Sequence, residues 1–172
     1  MAYSAKSIAN YFLEKAHQEK VTDITPMKLL KLVYIAHGWW LGFTEKPLIN
    51  EQVEAWKFGP VIPSLYHEFK HFGMSPITSK ATELEFPSWE YEEVPVPSGG
   101  EVIKLLDAVW ESYGKYNGVQ LSNLTHITGS PWERTKKEYG GVLPRGTDID
   151  RNLIEDFYKE RIKAIQAKTQ KT

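Results

Sequence analysis

His67-Glu68-Phe69-Lys70-His71 is the one stretch whose residue types and spacing match a known chemistry. Two histidines four apart on a helix face one side and can hold a zinc ion, while the intervening glutamate polarises a bound water. A catalytic zinc needs a third protein ligand. The longer pattern that would supply it fails, because Met74 stands where a glycine is required and Ile77 where a histidine is required. Glu83, Glu85 and Glu90 follow in a proline-rich stretch that would not hold them at a fixed distance. The favoured reading is two partly exposed histidines on a helix buried through Leu65, Phe69 and Phe72, with a zinc-dependent hydrolase as an alternative. No catalytic residue, metal ligand or cofactor is assigned.

The remaining polar candidates read more quietly. His37 lies on the apolar row of a hydrophobic helix and reads as a core histidine with a hydrogen-bond partner. His126, near Trp132, suits a helix-packing hydrogen bond, with a partner contact as the alternative. Lys28 and Lys31 flank the first turn of the same apolar helix. They read as its solvated edge, the alternative being contact with an acidic partner. There is no Ser/His/Asp ordering, dinucleotide fingerprint or phosphate-binding loop, and Gly99-Gly100 and Gly140-Gly141 read as turns.

Composition narrows the function classes. The 172 residues include 41% hydrophobic and 13% aromatic side chains, enough for a globular core and for large apolar anchors. A net charge of -1 gives no basic excess to release counterions from nucleic acid, so no nucleic-acid partner is expected. The absence of cysteine removes disulfides and thiolate chemistry and fits a reducing compartment. No signal-peptide pattern opens the chain. The longest apolar run, Leu32 to Phe43, falls short of the ~20 residues that span a bilayer, so a cytoplasmic protein without a membrane partner is expected.

The elements that must position these groups are mostly helical. Ser4 caps a surface helix through Ala5, Ile8, Phe12 and Ala16, and Thr25-Pro26 opens a second running to Phe43, apolar all round and central to the core. Gly38 inside it is expected where another backbone passes close. Val53 to Phe58 alternates as a strand that Gly59-Pro60 ends, and Pro47 to Asn50 can pair with it through Asn50-Glu51. Pro63 opens the helix carrying the histidines, and Gly73 closes it.

From residue 75 to 100 four prolines and five glutamates, against Lys80 alone, predict a connector in which Leu84 with Phe86 and Trp89 with Tyr91 form short edge strands. Ser98 and Glu101 make a capping box for a helix that Gly118 ends, and Ser122 starts a short one. Ser130-Pro131-Trp132-Glu133 opens another, with Trp132 and Tyr139 facing the core. A last helix carries Ile154, Tyr158, Ile162 and Ile165 opposite a Glu155 to Lys159 pair, and its tail is expected to fray after Ala167. The sum is one compact α+β domain over residues 1–172, mostly helical, with a central apolar helix and a small β-hairpin.

With these pieces placed, the chain resembles the Panacea domain family, also called SocA-like or phage GepA-like proteins. The likeness rests on Thr25-Pro-Met-Lys-Leu-Leu-Lys-Leu-Val-Tyr-Ile-Ala-His-Gly-Trp39, Glu54-Ala-Trp-Lys-Phe-Gly-Pro-Val-Ile-Pro-Ser-Leu-Tyr66, Leu121-Ser-Asn-Leu-Thr-His126 and Pro131-Trp132, in the family's order. The joined Trp, Gly-Pro-Val and Pro spacing of the second block is the most specific. The resemblance implies a non-enzymatic antitoxin that binds and neutralises a toxin encoded beside it, one domain being paired with unrelated toxins across the family. Some relatives instead deliver the toxin to a bacterial protease as adaptors. Others add a DNA-binding helix-turn-helix domain, for which this chain has no expected room. Lys28, Lys31, Lys57, Tyr66 and His126 are the expected toxin contacts, being motif residues that folding does not fully require.

Overall fold

A computed structural model of the chain describes residues 2–170. Helix α1 (Ala5–Gln18) begins where the Ser4 hydroxyl accepts the Ser7 N–H, and α2 (Pro26–Thr44) where Thr25 accepts the Lys28 N–H ahead of a first-turn proline. Two short strands, β1 (Glu54–Trp56) and β2 (Gly59–Val61), precede α3 (Pro63–Phe69), which tightens into a 3-10 turn over Lys70–Phe72 and stops at Gly73. A second antiparallel pair, β3 (Thr82–Glu85) and β4 (Glu90–Glu93), leads to α4 (Gly100–Tyr113), α5 (Gly118–Thr125), α6 (Pro131–Glu138) and α7 (Arg151–Thr169). The architecture is mostly helical α+β. Helix α2 is its axis, touching α1, α3, α4, α5, α7 and β2, and its Leu29, Leu32, Val33 and Ala36 are wholly buried.

The glycine inside α2 meets a side chain rather than the backbone expected from the sequence. A β-carbon at Gly38 would lie 2.0 Å from Tyr158 Cε2, and one at Gly42 would lie 2.8 Å from Tyr158 Cβ. Helix α7 therefore seats its tyrosine in the notch these two glycines leave.

The first hairpin differs from the expected one. Residues 54–56 pair forward with residues 59–61 through the two-residue turn Lys57-Phe58, while Ile49 forms a single parallel bridge to Tyr3. Pro60 does not end the strand, because its partner Ala55 directs its own N–H outward to Thr147 O at 2.8 Å. At such a non-hydrogen-bonded pair no ladder donor is required of residue 60. Gly59, at φ +108, supplies the backbone conformation that closes the turn.

Other boundaries move for local reasons. The cap of α4 is Gly99 without a side-chain bond, so Ser98 and Glu101 form no capping box. Gly118 opens α5 instead of closing α4, because Asn117 and Gln120 make a reciprocal capping box one residue earlier. Tyr139 is exposed as the cap of α6, and α7 continues past Ala167 to Thr169. The edge strands do pair with each other, although Phe86 and Trp89 fall in their connecting turn.

Helix α1 is more than a surface helix. Asn10 is fully buried, its Nδ2 donating to Ala81 O at 3.0 Å and Val94 O at 2.8 Å while its Oδ1 accepts Ala81 N–H at 2.7 Å. Lys6 and Ser7 donate to Thr82 O and Pro95 O beside it. One helix face thereby clamps both feet of the β3–β4 hairpin. Asn10→Ala strips partners from buried backbone groups and is expected to destabilise the chain by about 2 kcal/mol. Amide exchange should show Ala81 and the hairpin amides losing protection ahead of α2; uniform loss would mean that the clamp has no local role.

Candidate interaction site

The blocks of sequence that carry the family likeness converge on the β1–β2 hairpin, and side chains from three helices satisfy its inward carbonyls. Trp132 Nε1 of α6 donates to Trp56 O at 2.7 Å, Ser122 Oγ of α5 to Phe58 O at 3.2 Å, and Lys31 Nζ of α2 to Pro60 O at 2.8 Å. Phe58 O lies in the turn and Pro60 O at a non-hydrogen-bonded pair, so their donors must come from outside the ladder. At the centre lies Gly59. A β-carbon there would stand 2.6 Å from His126 Nε2, 2.9 Å from Lys31 Nζ and 3.1 Å from Thr125 Oγ1.

These placements sort the expected contact residues. Lys31 is 3% exposed and belongs to the clamp, and burial lowers its pKa from 10.5 to about 7. Lys28 is 1% exposed, its stem packed and its Nζ 3.0 Å from Asp23 Oδ1. Neither lysine is the solvated edge expected from the sequence. An ammonium reaching a carbonyl or carboxylate along a buried stem looks, in a one-dimensional pattern, like an exposed lysine. His126 stacks on Trp132 at 4.1 Å, and its buried Nε2 meets no hydrogen-bond partner among the described residues. Burial first, and the Lys31 charge second, lower its pKa. The imidazole thus packs through a ring stack on Trp132, and a backbone hydrogen bond with Phe58 acts on its pKa in the opposite sense.

Lys57 and Tyr66 face outward instead. Together with Trp56, His67, Leu143 and Arg145 they line a groove of about 560 Å³ between the hairpin, α3 and the 143–146 loop. Tyr66 sits edge-on to Trp56 at 4.7 Å. The Glu54 carboxylate on the same wall accepts Trp56 Nε1 at 2.7 Å, whereas Lys57 and Arg145 have no carboxylate partner among the described residues. The groove is aromatic-walled and carries an excess of positive charge. Pattern reasoning missed the contribution of the 143–146 loop, since Leu143-Pro144-Arg145 reads only as a turn.

Of the zinc-like stretch, His67 borders this groove, whereas Glu68 lies on the other flank of α3. Glu68 pairs with Lys6 Nζ at 2.9 Å and accepts the Thr82 N–H at 3.0 Å, which draws its carboxylate to α1 and the second hairpin. His67 and His71 are exposed, and the change to 3-10 geometry at Lys70 breaks the α-helical register between them. Among the described residues no three His, Asp or Glu side chains are grouped to hold a metal ion. His37 is the core histidine expected, its Nδ1 accepting the Leu48 N–H at 3.3 Å, and burial lowers its pKa to about 4. Among the described residues no helix is long and apolar enough to cross a membrane.

In class this is a helical domain whose motif side chains hold a hairpin and the aromatic groove beside it. Residues 29–133 match the family model described as antitoxin SocA-like, Panacea domain. The chain is also 32% identical over 155 residues to Antitoxin SocA of Caulobacter vibrioides (strain NA1000 / CB15N), an alignment covering 90% of this chain and 82% of that protein. It belongs to the SocA-like Panacea domain family, which supports an antitoxin role. No solved structure matches it.

Proposed function

We propose that this chain neutralises a cognate protein toxin by binding it directly, with the groove between the β1–β2 hairpin and α3 as the contact surface. The observation that carries this reading is the division of labour within the motif. Lys31, Ser122 and Trp132 are committed to the hairpin carbonyls, which leaves Lys57 on a rigidly held turn and Tyr66 on α3 beside it, both facing the groove. An aromatic pair flanked by cations that have no carboxylate partner among the described residues suits the centre of an interface, where aromatic and cationic anchors dominate the energy. No step in this reading requires catalysis, and it suits a cytosolic protein.

Co-expression with the adjacent toxin tests the reading. Growth rescue that persists in cells lacking the candidate protease supports neutralisation by binding, whereas rescue only in its presence shows that the chain acts as an adaptor. Lys57→Glu and Tyr66→Ala are each expected to weaken toxin binding about thirtyfold, the effect of losing a ~2 kcal/mol anchor. Titration calorimetry with the purified toxin measures this. Lys57 is exposed, so its variant should stay within about 0.5 kcal/mol of the parent in stability, whereas Tyr66→Ala also loses its ring contact with Trp56 and is expected to cost about 1 kcal/mol; unchanged affinity in both variants would exclude this groove.

A further inference from the structure

The β3–β4 hairpin is an arm whose charges oppose one another. Its register sets Glu83 opposite Glu92 and Glu85 opposite Glu90. Like charges directly across a strand pair destabilise it. Opposed residues, and residues two apart, share one face, so that face carries four exposed carboxylates, none with a cation partner among the described residues. The end of the arm is apolar. Phe86, Trp89 and Tyr91 are 65%, 69% and 74% exposed, with the Phe86 and Trp89 rings edge-on at 4.6 Å. A two-stranded ribbon is marginal by itself, and this one presents large aromatic surface to water besides.

The complement to this arm lies on the same molecule. The groove offers Trp56 and Tyr66 as walls, and Lys57 and Arg145 as cations without a carboxylate partner among the described residues. Arm and groove flank one short helix: Glu68 of α3 holds the Thr82 N–H at the foot of the arm, while Tyr66 and His67 of α3 line the groove. We propose that two copies of this chain exchange arms, the aromatic tip of each seated in the groove of the other and Lys57 and Arg145 facing its glutamates. A two-fold axis near α3 makes both contacts at once and leaves no open end. Aromatic side chains of ~150–250 Å², about two thirds exposed, supply roughly 400 Å² per arm. Doubled by symmetry, the two arms alone contribute roughly 800 Å², so the paired charges and the closed two-fold carry the rest of the contact. A toxin seated on Lys57 and Tyr66 would compete with this exchange.

Sedimentation equilibrium of the purified chain, without any toxin, tests the exchange and leaves the toxin reading untouched whichever way it falls. The parent is expected at the mass of two chains at tens of micromolar, with a dissociation constant that rises at least tenfold in high salt. A variant with Glu85→Lys, Glu90→Lys and Glu92→Lys has a basic arm and a basic groove; one with Lys57→Glu and Arg145→Glu has an acidic arm and an acidic groove. Each alone should run as a monomer. Mixed in equal amounts they should recover the two-chain mass, since each basic arm then meets an acidic groove and each acidic arm a basic one. Recovery also shows that neither variant has misfolded. A monomeric parent, a two-chain species that persists in both variants, or variants that stay monomeric when mixed would each overturn the proposal.

Discussion

Gly38→Ala is expected to destabilise this chain by at least about 3 kcal/mol, although in an ordinary helix interior the same change stabilises by ~1 kcal/mol. The sign reverses because the added methyl would stand 2.0, 2.4 and 2.5 Å from three ring atoms of Tyr158. That ring cannot move aside. It is 5% exposed, edge-on to Trp39 at 5.2 Å, and belongs to a helix that also leans on Gly42, where a β-carbon would meet Ile162 Cδ1 at 2.9 Å. Overpacking of this kind costs ~1–3 kcal/mol where neighbours can shift and more where they cannot. Urea unfolding measures the loss, and a double-mutant cycle assigns it. On a Tyr158→Ala background, already weakened by its own cavity, Gly38→Ala should cost nothing or stabilise, giving a coupling of at least about 3 kcal/mol. Equal costs on the two backgrounds would show that the tyrosine is not what the glycine accommodates.

The second large effect concerns pH. Lys31 titrates near 7 when folded and near 10.5 when unfolded, so between those values the unfolded chain binds more protons than the folded one. Stability therefore rises with pH across that window, by roughly 1.4 kcal/mol per pH unit, and as pH falls the gain is lost through about 7. His37 acts in the same sense at lower pH. With a folded value of about 4 against 6.5 unfolded, it withdraws about 3 kcal/mol as pH falls from 6.5 to 4. Above pH 10 the trend turns, because burial holds the Tyr34 and Tyr158 phenols protonated while their unfolded counterparts ionise.

Lys31→Met should flatten the rise between pH 7 and 10 and leave the acid limb unchanged. It also leaves Pro60 O without its donor, so stability at neutral pH should change little as the two effects offset. Removing the ammonium should raise the pKa of His126, which the Lys31 charge now helps to depress, and NMR titration of that imidazole reads the change directly. A parent whose stability is flat from pH 7 to 10 would refute this account of Lys31.

The sequence alone determined the elements whose signals are local. Thr25-Pro26, Pro63 and Ser130-Pro131 marked helix starts correctly because a first-turn proline, joined at Thr25 and Ser130 by a side-chain cap, acts within four residues. The apolar circumference of α2 made it central for a reason visible in its own residues, namely that no face of it could be left to water. The motif blocks sufficed for the family.

Tertiary structure alone decided what each polar motif residue is for. Lys31 and Lys57 look alike in a sequence, yet one ends on a buried carbonyl 29 residues away and the other on a groove wall. Asn10, outside the Ala5, Ile8, Phe12 and Ala16 set that periodicity marks for burial, proved to be the clamp of a hairpin 71 residues on. Gly59-Pro60 looked like a strand end and became a strand, because the register with Ala55 left the missing proline N–H without a duty. Side-chain pattern reports how much of a residue must be buried. Which carbonyl it finds there depends on chain segments far away in sequence, and only the folded packing brings them together.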